Sequence, residues 1–146
     1  SMAVNSFAPL KMIETFLPEL EHTGGRVVNL SSVHARLTKA GFATYTASKA
    51  ALESLTRTCA LELSARGITV NAVAPAAIAT EMLKAGFAQR PEALSELERY
   101  HPAGRLGTPE ELARFIKALT DGRFGFLSGA VLEFSGGIAG QLHDPA

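Results

Sequence analysis

Two short runs rich in β-branched residues, Arg26-Val27-Val28-Asn29-Leu30 and Ile68-Thr69-Val70-Asn71-Ala72-Val73, flank a long helical stretch. This alternation constrains the chain more than any other feature. Runs of that length and composition read as buried strands. Between them, from Thr44 to Ala65, Leu52, Leu55, Cys59 and Leu63 recur along one helical stripe. Ala47, Ala50, Ala51, Ser54 and Thr58 form a small-residue face suited to close helix packing. Strands that alternate with helices pair in parallel, because a parallel pair needs a crossover between its members.

The rest of the punctuation extends this pattern. Leu10, Ile13, Leu17 and Leu20 predict a helix over Phe7 to Leu20, ended by Gly24-Gly25, and Gly67 supplies the stop for the long helix. A helical region is expected from Thr80 to Tyr100. Thr108-Pro109-Glu110-Glu111 is a strong helix start, with Thr as cap, Pro at the first position and Glu111 at the capping-box position, and that helix should reach about Leu119. Ala130 to Phe134 reads as a third strand before Gly136-Gly137. The expected fold is α/β, about three parallel strands with flanking helices. Parallel sheets are normally covered on both faces and edges, and nothing here supplies a strand to pair with Val27-Val28. Another chain, through self-association, or an N-terminal segment is expected to cover that edge.

Composition bears on what the chain binds. Lysine plus arginine equals aspartate plus glutamate, 14 against 14, which argues against a nucleic-acid footprint. No run approaches a membrane span. The single cysteine, Cys59, excludes an intrachain disulfide, fits a reducing compartment and sits among leucines as a packing thiol, so a cytoplasmic location is expected. His22, His101 and His143 have no partners at ligand spacing, and no metal site is read.

The strongest candidate constellation for chemistry is Ser32, Tyr45 and Lys49, although a tyrosine and a lysine at this spacing alone are more often a half-exposed aromatic and a solvated lysine. Ser32 lies just past a strand end, where ligands approach open α/β sheets. Tyr45 and Lys49 stand four apart at the start of a helix and project from one face. A phenol is a poor base at neutral pH, but an ammonium and a helix N-terminus beside it favour its phenolate form. A serine hydroxyl facing them can hydrogen-bond a carbonyl or alkoxide oxygen. Such a group moves a proton to or from an alcohol oxygen while hydride leaves or arrives at its carbon.

The text around these residues resembles the short-chain dehydrogenase/reductase family. The resemblance is carried by Val28-Asn29-Leu30-Ser31-Ser32, then Tyr45 with Ser48-Lys49-Ala50-Ala51, then Val70-Asn71-Ala72-Val73-Ala74-Pro75 with Ile78 and Thr80. It continues through Gly104-Arg105-Leu106-Gly107-Thr108-Pro109-Glu110-Glu111 and ends at Ser135-Gly136-Gly137. It implies a C-terminal half of a Rossmann-like, doubly wound parallel sheet, a single partial domain over residues 1–146. By the same resemblance Tyr45 is the general acid/base, Lys49 supports it and holds the nicotinamide ribose, and Ser32 donates to the substrate oxygen. Asn5 matches the family's fourth catalytic residue, which kinks its helix and holds a relay water; an ordinary helix-end asparagine is the alternative. Pro75, Ile78 and Thr80 correspond to the loop that meets the nicotinamide carboxamide. Here the family's Pro-Gly is Pro75-Ala76, and the methyl limits positive φ. His34 stands two residues beyond Ser32, either as a tuner of substrate choice or as a solvated loop histidine.

The family's glycine-rich turn, its ribose-reading acid or base and its Asn-Asn-Ala-Gly segment have no counterpart in this sequence. The expected cofactor is NAD or NADP, the choice being unreadable, and the expected partner is a small alcohol or carbonyl substrate. Two readings stay open: the catalytic half of an NAD(P)-dependent oxidoreductase, or a catalytically silent fragment that serves as an oligomerisation or binding module.

Overall fold

In the computed structural model, which describes residues 2–142, three strands form one parallel sheet: β1 (Arg26–Leu30), β2 (Thr69–Pro75) and β3 (Val131–Phe134), in the order β1-β2-β3. Arg26 lies opposite Thr69 and Leu30 opposite Val73; Ala72 lies opposite Val131 and Pro75 opposite Phe134. The second strand runs two residues further than its β-branched run, because Pro75 can close a strand whose last amide comes from Ala76, which donates to Phe134 O at 3.0 Å. Every residue of β2 is buried, as a central strand covered on both faces requires. In β1 only Asn29 is buried.

The N-terminal segment is helical from Ala3, but not uniformly so. A π-helical turn (Ala3–Phe7) leads into α1 (Ala8–Thr15), and α2 (Leu17–Thr23) follows after a break at Phe16. The single helix expected over Phe7 to Leu20 divides there because Pro18 has no N–H to give Glu14 and its ring crowds that carbonyl. Gly24 takes a left-handed φ of 64° and closes α2, and a side chain at Gly25 would collide with Leu20. The long helix α3 (Ala43–Leu63) continues as a 3₁₀ turn to Arg66 before Gly67, matching the predicted stretch.

On one face of the sheet Ile13, Cys59, Ala60, Leu63, Ile68 and Val70 form the core, with Leu10, Leu17, Leu20 and Val27 packed against it. The alternation of a strand sends Asn29 to the same side as Val27, where its amide donates to Thr56 Oγ1 of α3 at 2.9 Å. Cys59 is a buried free thiol, and burial raises its pKa. The opposite face is covered by α6 (Pro109–Thr120), which lies against β1 and stacks Phe115 on Phe134. The capping box at Thr108 and Glu111 is formed in both directions, and Arg105 binds Glu111 through two nitrogens.

The region expected as one helix from Thr80 to Tyr100 is two, α4 (Glu81–Phe87) and α5 (Pro91–Tyr100). Pro91 cannot continue α4 but is well suited to the first position of a new helix. The third strand starts at Val131, one residue later than its sequence pattern.

Candidate active site

The site assembles where the strands end. Leu30 and Ser31 leave β1 beside Val73, whose carbonyl accepts the Ser31 N–H at 2.7 Å. Ser32 then caps a 3₁₀ turn (Val33–Ala35), its Oγ accepting the His34 N–H at 3.2 Å. That acceptance leaves the hydroxyl proton of Ser32 free to be donated. Ser32 is buried, so the loop holds it at a fixed place.

Helix α3 starts across from this strand end. Tyr45 sits in its first turn and Lys49 one turn later on the same face. Lys49 Nζ donates to Leu30 O at 2.8 Å and lies 5.9 Å from the centre of the Tyr45 ring. Partial burial lowers the Lys49 pKa below its usual value. The His34 ring stands edge-on to Tyr45, 6.1 Å between centroids, and 4.9 Å from Phe42, while its Nδ1 is 2.9 Å from Leu37 O. Nδ1 therefore carries the proton toward that carbonyl. The half-buried His34 ring packs beside Phe42 and Tyr45, with its Nδ1 contact to Leu37 O in an exposed setting.

Asn5 reaches the same place from the π-helical turn. Its Nδ2 donates to Ser48 Oγ at 3.0 Å, and Ser6 Oγ donates to Ser48 O at 2.8 Å. The residue next to Lys49 is thus clasped by two side chains from the N-terminal helix. The irregular turn is the conformation that presents both Asn5 and Ser6 to α3.

The third group lies at the end of β2. After Pro75, the segment through Ala79 makes a parallel bridge to Gly107: Gly107 N–H donates to Ala77 O at 3.2 Å and Ala79 N–H to Gly107 O at 2.8 Å. The peptide groups of Ile78 face the other way, and its carbonyl accepts the Thr80 N–H at 2.7 Å. Thr80 Oγ1 caps α4 by accepting the Leu83 N–H, which leaves the threonine proton available. A Cβ at Gly107 would come within 2.7 Å of Ile78 Cδ1, so a larger residue there would have to displace the end of the Ile78 side chain. Ala76 takes no left-handed φ, so its methyl imposes no backbone strain. A cavity of about 240 Å³ opens behind this segment, lined by Ala76, Ala77, His101, Arg105 and Ser135 among others.

The structure therefore brings Ser32, Tyr45, Lys49 and Asn5 together at the end of β1, with Pro75, Ile78 and Thr80 at the end of the neighbouring strand. Three buried polar residues, Ser31, Glu53 and His101, were given no role in the sequence reading. Ser31 donates through Oγ to Glu53 Oε1 at 2.9 Å, and Glu53 is 5% exposed. The available signal was an acid four residues beyond Lys49 on the helix face that carries it. His101, 3% exposed, is held through Nδ1 by Leu97 O and has no partner for Nε2. Among the described residues no group of three or more His, Cys, Asp or Glu could hold a metal, and no helix is long and apolar enough to cross a membrane. His143 lies outside the described residues.

Comparison with known proteins follows the same outline. A family model described as enoyl-(acyl carrier protein) reductase matches residues 1–139. The 3beta-hydroxysteroid dehydrogenase 1 of Eggerthella lenta is 42% identical over 114 residues, 78% of this chain and 43% of that protein. Among solved structures, the ligand-free aldohexose dehydrogenase of Thermoplasma acidophilum superposes with a TM-score of 0.90 at 27% identity, over 99% of this chain and 61% of that one. ElxO with NADP bound superposes with a TM-score of 0.86 at 29% identity, over 94% of this chain and 56% of that one. The chain spans about half the length of the relatives it matches.

Proposed function

The chain belongs to the short-chain dehydrogenase/reductase family, and from that premise we propose that it is the catalytic part of an NAD(P)-dependent oxidoreductase interconverting an alcohol and a ketone or aldehyde. The observation that carries this reading is the placement of Lys49, held to Leu30 O at 2.8 Å beside the Tyr45 ring, at the strand end that leads directly into Ser32.

The roles follow from what each side chain has free. Ser32 spends its lone pair on the His34 N–H and keeps its proton for the substrate oxygen. Tyr45 gives its proton to that oxygen in reduction and takes it back in oxidation. Lys49 places positive charge next to the phenol and so favours the phenolate that this exchange requires. Asn5 fixes the turn of α3 that bears Lys49 by way of Ser48. Pro75, Ile78 and Thr80 suit the nicotinamide end: Ile78 turns its peptide groups away from Gly107, and Thr80 retains a free hydroxyl proton. Tyr45 and Lys49 would share in holding the adjoining ribose. A bound nicotinamide supplies or accepts the hydride. The adenosine end falls outside the matched half, and with it the choice between NAD and NADP.

A second reading rests on a separate observation. The outer edge of β1 is unpaired among the described residues, and a groove of about 470 Å³ runs along it, lined by Pro9, Met12, Phe16 and Leu20 with the strand itself. An N-terminal half of the enzyme or a second copy of the chain covers this edge; the chain alone serves as an association module. A cytoplasmic location accords with the free buried Cys59.

The test is turnover of NADH or NADPH with a panel of small ketones and aldehydes, in a preparation whose β1 edge is covered by an N-terminal half. Tyr45→Phe should lower kcat by about 10²–10⁴. A Tyr45→Phe variant with wild-type turnover would overturn the assignment.

A further inference from the structure

Tyr45, Lys49 and Glu53 step along α3 four residues at a time and so form one line down the helix. The first two have been given roles. The third has none, and its burial is a local anomaly: Glu53 is 5% exposed, the one charged residue among the buried members of α3, which are otherwise Ser48, Leu52, Thr56, Cys59, Ala60 and Leu63. Removing a carboxyl group from water is costly, and a leucine would satisfy the packing at no such cost. Places where a chain keeps an expensive buried polar group are the places to look for a functional reason.

The contact of Glu53 supplies one. Its Oε1 accepts the Ser31 hydroxyl at 2.9 Å, and Ser31 is itself 3% exposed. On its other side Ser31 is held by Val73 O, and the residue before it, Leu30, is held by Lys49. The two residues that precede Ser32 are thus each gripped by one residue of the same helical line. We infer that Glu53 is a positioning residue: together with Ser31 it fixes the end of β1 against α3, and so sets Ser32 and the Leu30 carbonyl relative to Tyr45 and Lys49. This inference rests on the proposed role of those residues.

The pair can be tested without cofactor or turnover, in the chain as it is. The probe is the rate at which acetic anhydride acylates Lys49, followed by mass spectrometry, alongside Tm. Ser31→Ala/Glu53→Leu removes both partners and leaves no orphaned polar group, a change that is nearly neutral for folding. We expect this double variant to keep its Tm while Lys49 acylation rises about ten-fold, the equivalent of losing one hydrogen bond to a charged group. Glu53→Gln, which retains an acceptor for Ser31, should behave as wild type in both measurements. Wild-type acylation in the double variant would overturn the inference. So would a joint loss of Tm and Lys49 protection, which marks a merely structural pair. Failure of the oxidoreductase reading shows elsewhere, in turnover that survives Tyr45→Phe, and the acylation experiment does not depend on it.

Discussion

The end of β1 and the outer edge of the same strand lie within a few residues of each other and are built from opposite materials. At the end, Ser31, Ser32, Ser48, Glu53 and Thr56 are buried polar groups, and each has a hydrogen-bond partner within the chain. Along the edge the exposed groups are apolar: Leu30 is 47% exposed, Phe16 53% and Met12 61%. Buried polar groups that are fully paired specify one geometry. An apolar strand edge left open specifies only that something should cover it. The proposed proton-transfer group is therefore held by partners inside this chain, while the outer edge of β1 is unpaired among the described residues.

The sharpest way to break this comparison is by stability. Ile68→Ala, at a fully buried position under the central strand, should cost about 2–5 kcal/mol in urea unfolding. Leu30→Ala at the open edge should change stability by no more than about 0.5 kcal/mol. Equal losses would mean that the edge is already covered. Next in size is association. Val28→Lys places a charge on the edge, and sedimentation velocity should show concentration-dependent association for the wild type and a monomer for the variant. A monodisperse wild-type monomer would contradict the open-edge account.

Two smaller effects involve titration. Lys49 has a lowered pKa in the folded chain, so between that value and the unfolded value near 10.5 the unfolded state binds more protons. Wild-type stability should rise with pH through that window, and Lys49→Met should lack the rise. A pH-independent difference between the two would remove burial as the cause. The smallest effect lies away from both regions. At the start of α6, hydrogen bonds from Arg105 and from the Thr108 backbone hold the pKa of the Glu111 carboxyl at about 2. Its contribution is fully present above the ordinary carboxylate range and lost as pH falls through about 2, a loss that circular dichroism of Glu111→Gln should not show.

Much of this was legible in the residues. Strand and helix order followed from β-branched runs between glycine stops, and the Thr108 capping box was readable from four letters because its partners are local. The places of Ser32, Tyr45 and Lys49 in the fold were legible because two lie on one helix face and one at a strand end, while their proposed roles came from the family resemblance of the text around them. Pro18 and Pro91 broke helices that apolar periodicity had joined, since the period of a face says nothing about a missing amide. Glu53 and Ser31 were illegible for a different reason. Their contact joins residues 22 apart in sequence, and an acid on a helix reads as solvated until the strand that buries it is in place.

The central proposal is that the catalytic group and the nicotinamide end of the dock are built here, while the glycine-rich turn that would hold the adenosine end has no counterpart in this sequence. The measurement that tests it most directly is NADPH consumption with a ketone panel, by the chain alone and by the chain whose β1 edge is covered by an N-terminal half of the family. The account predicts no turnover by the chain alone and turnover, abolished in Tyr45→Phe, once the edge is covered. A saturable rate from the chain alone that Tyr45→Phe removes would contradict it.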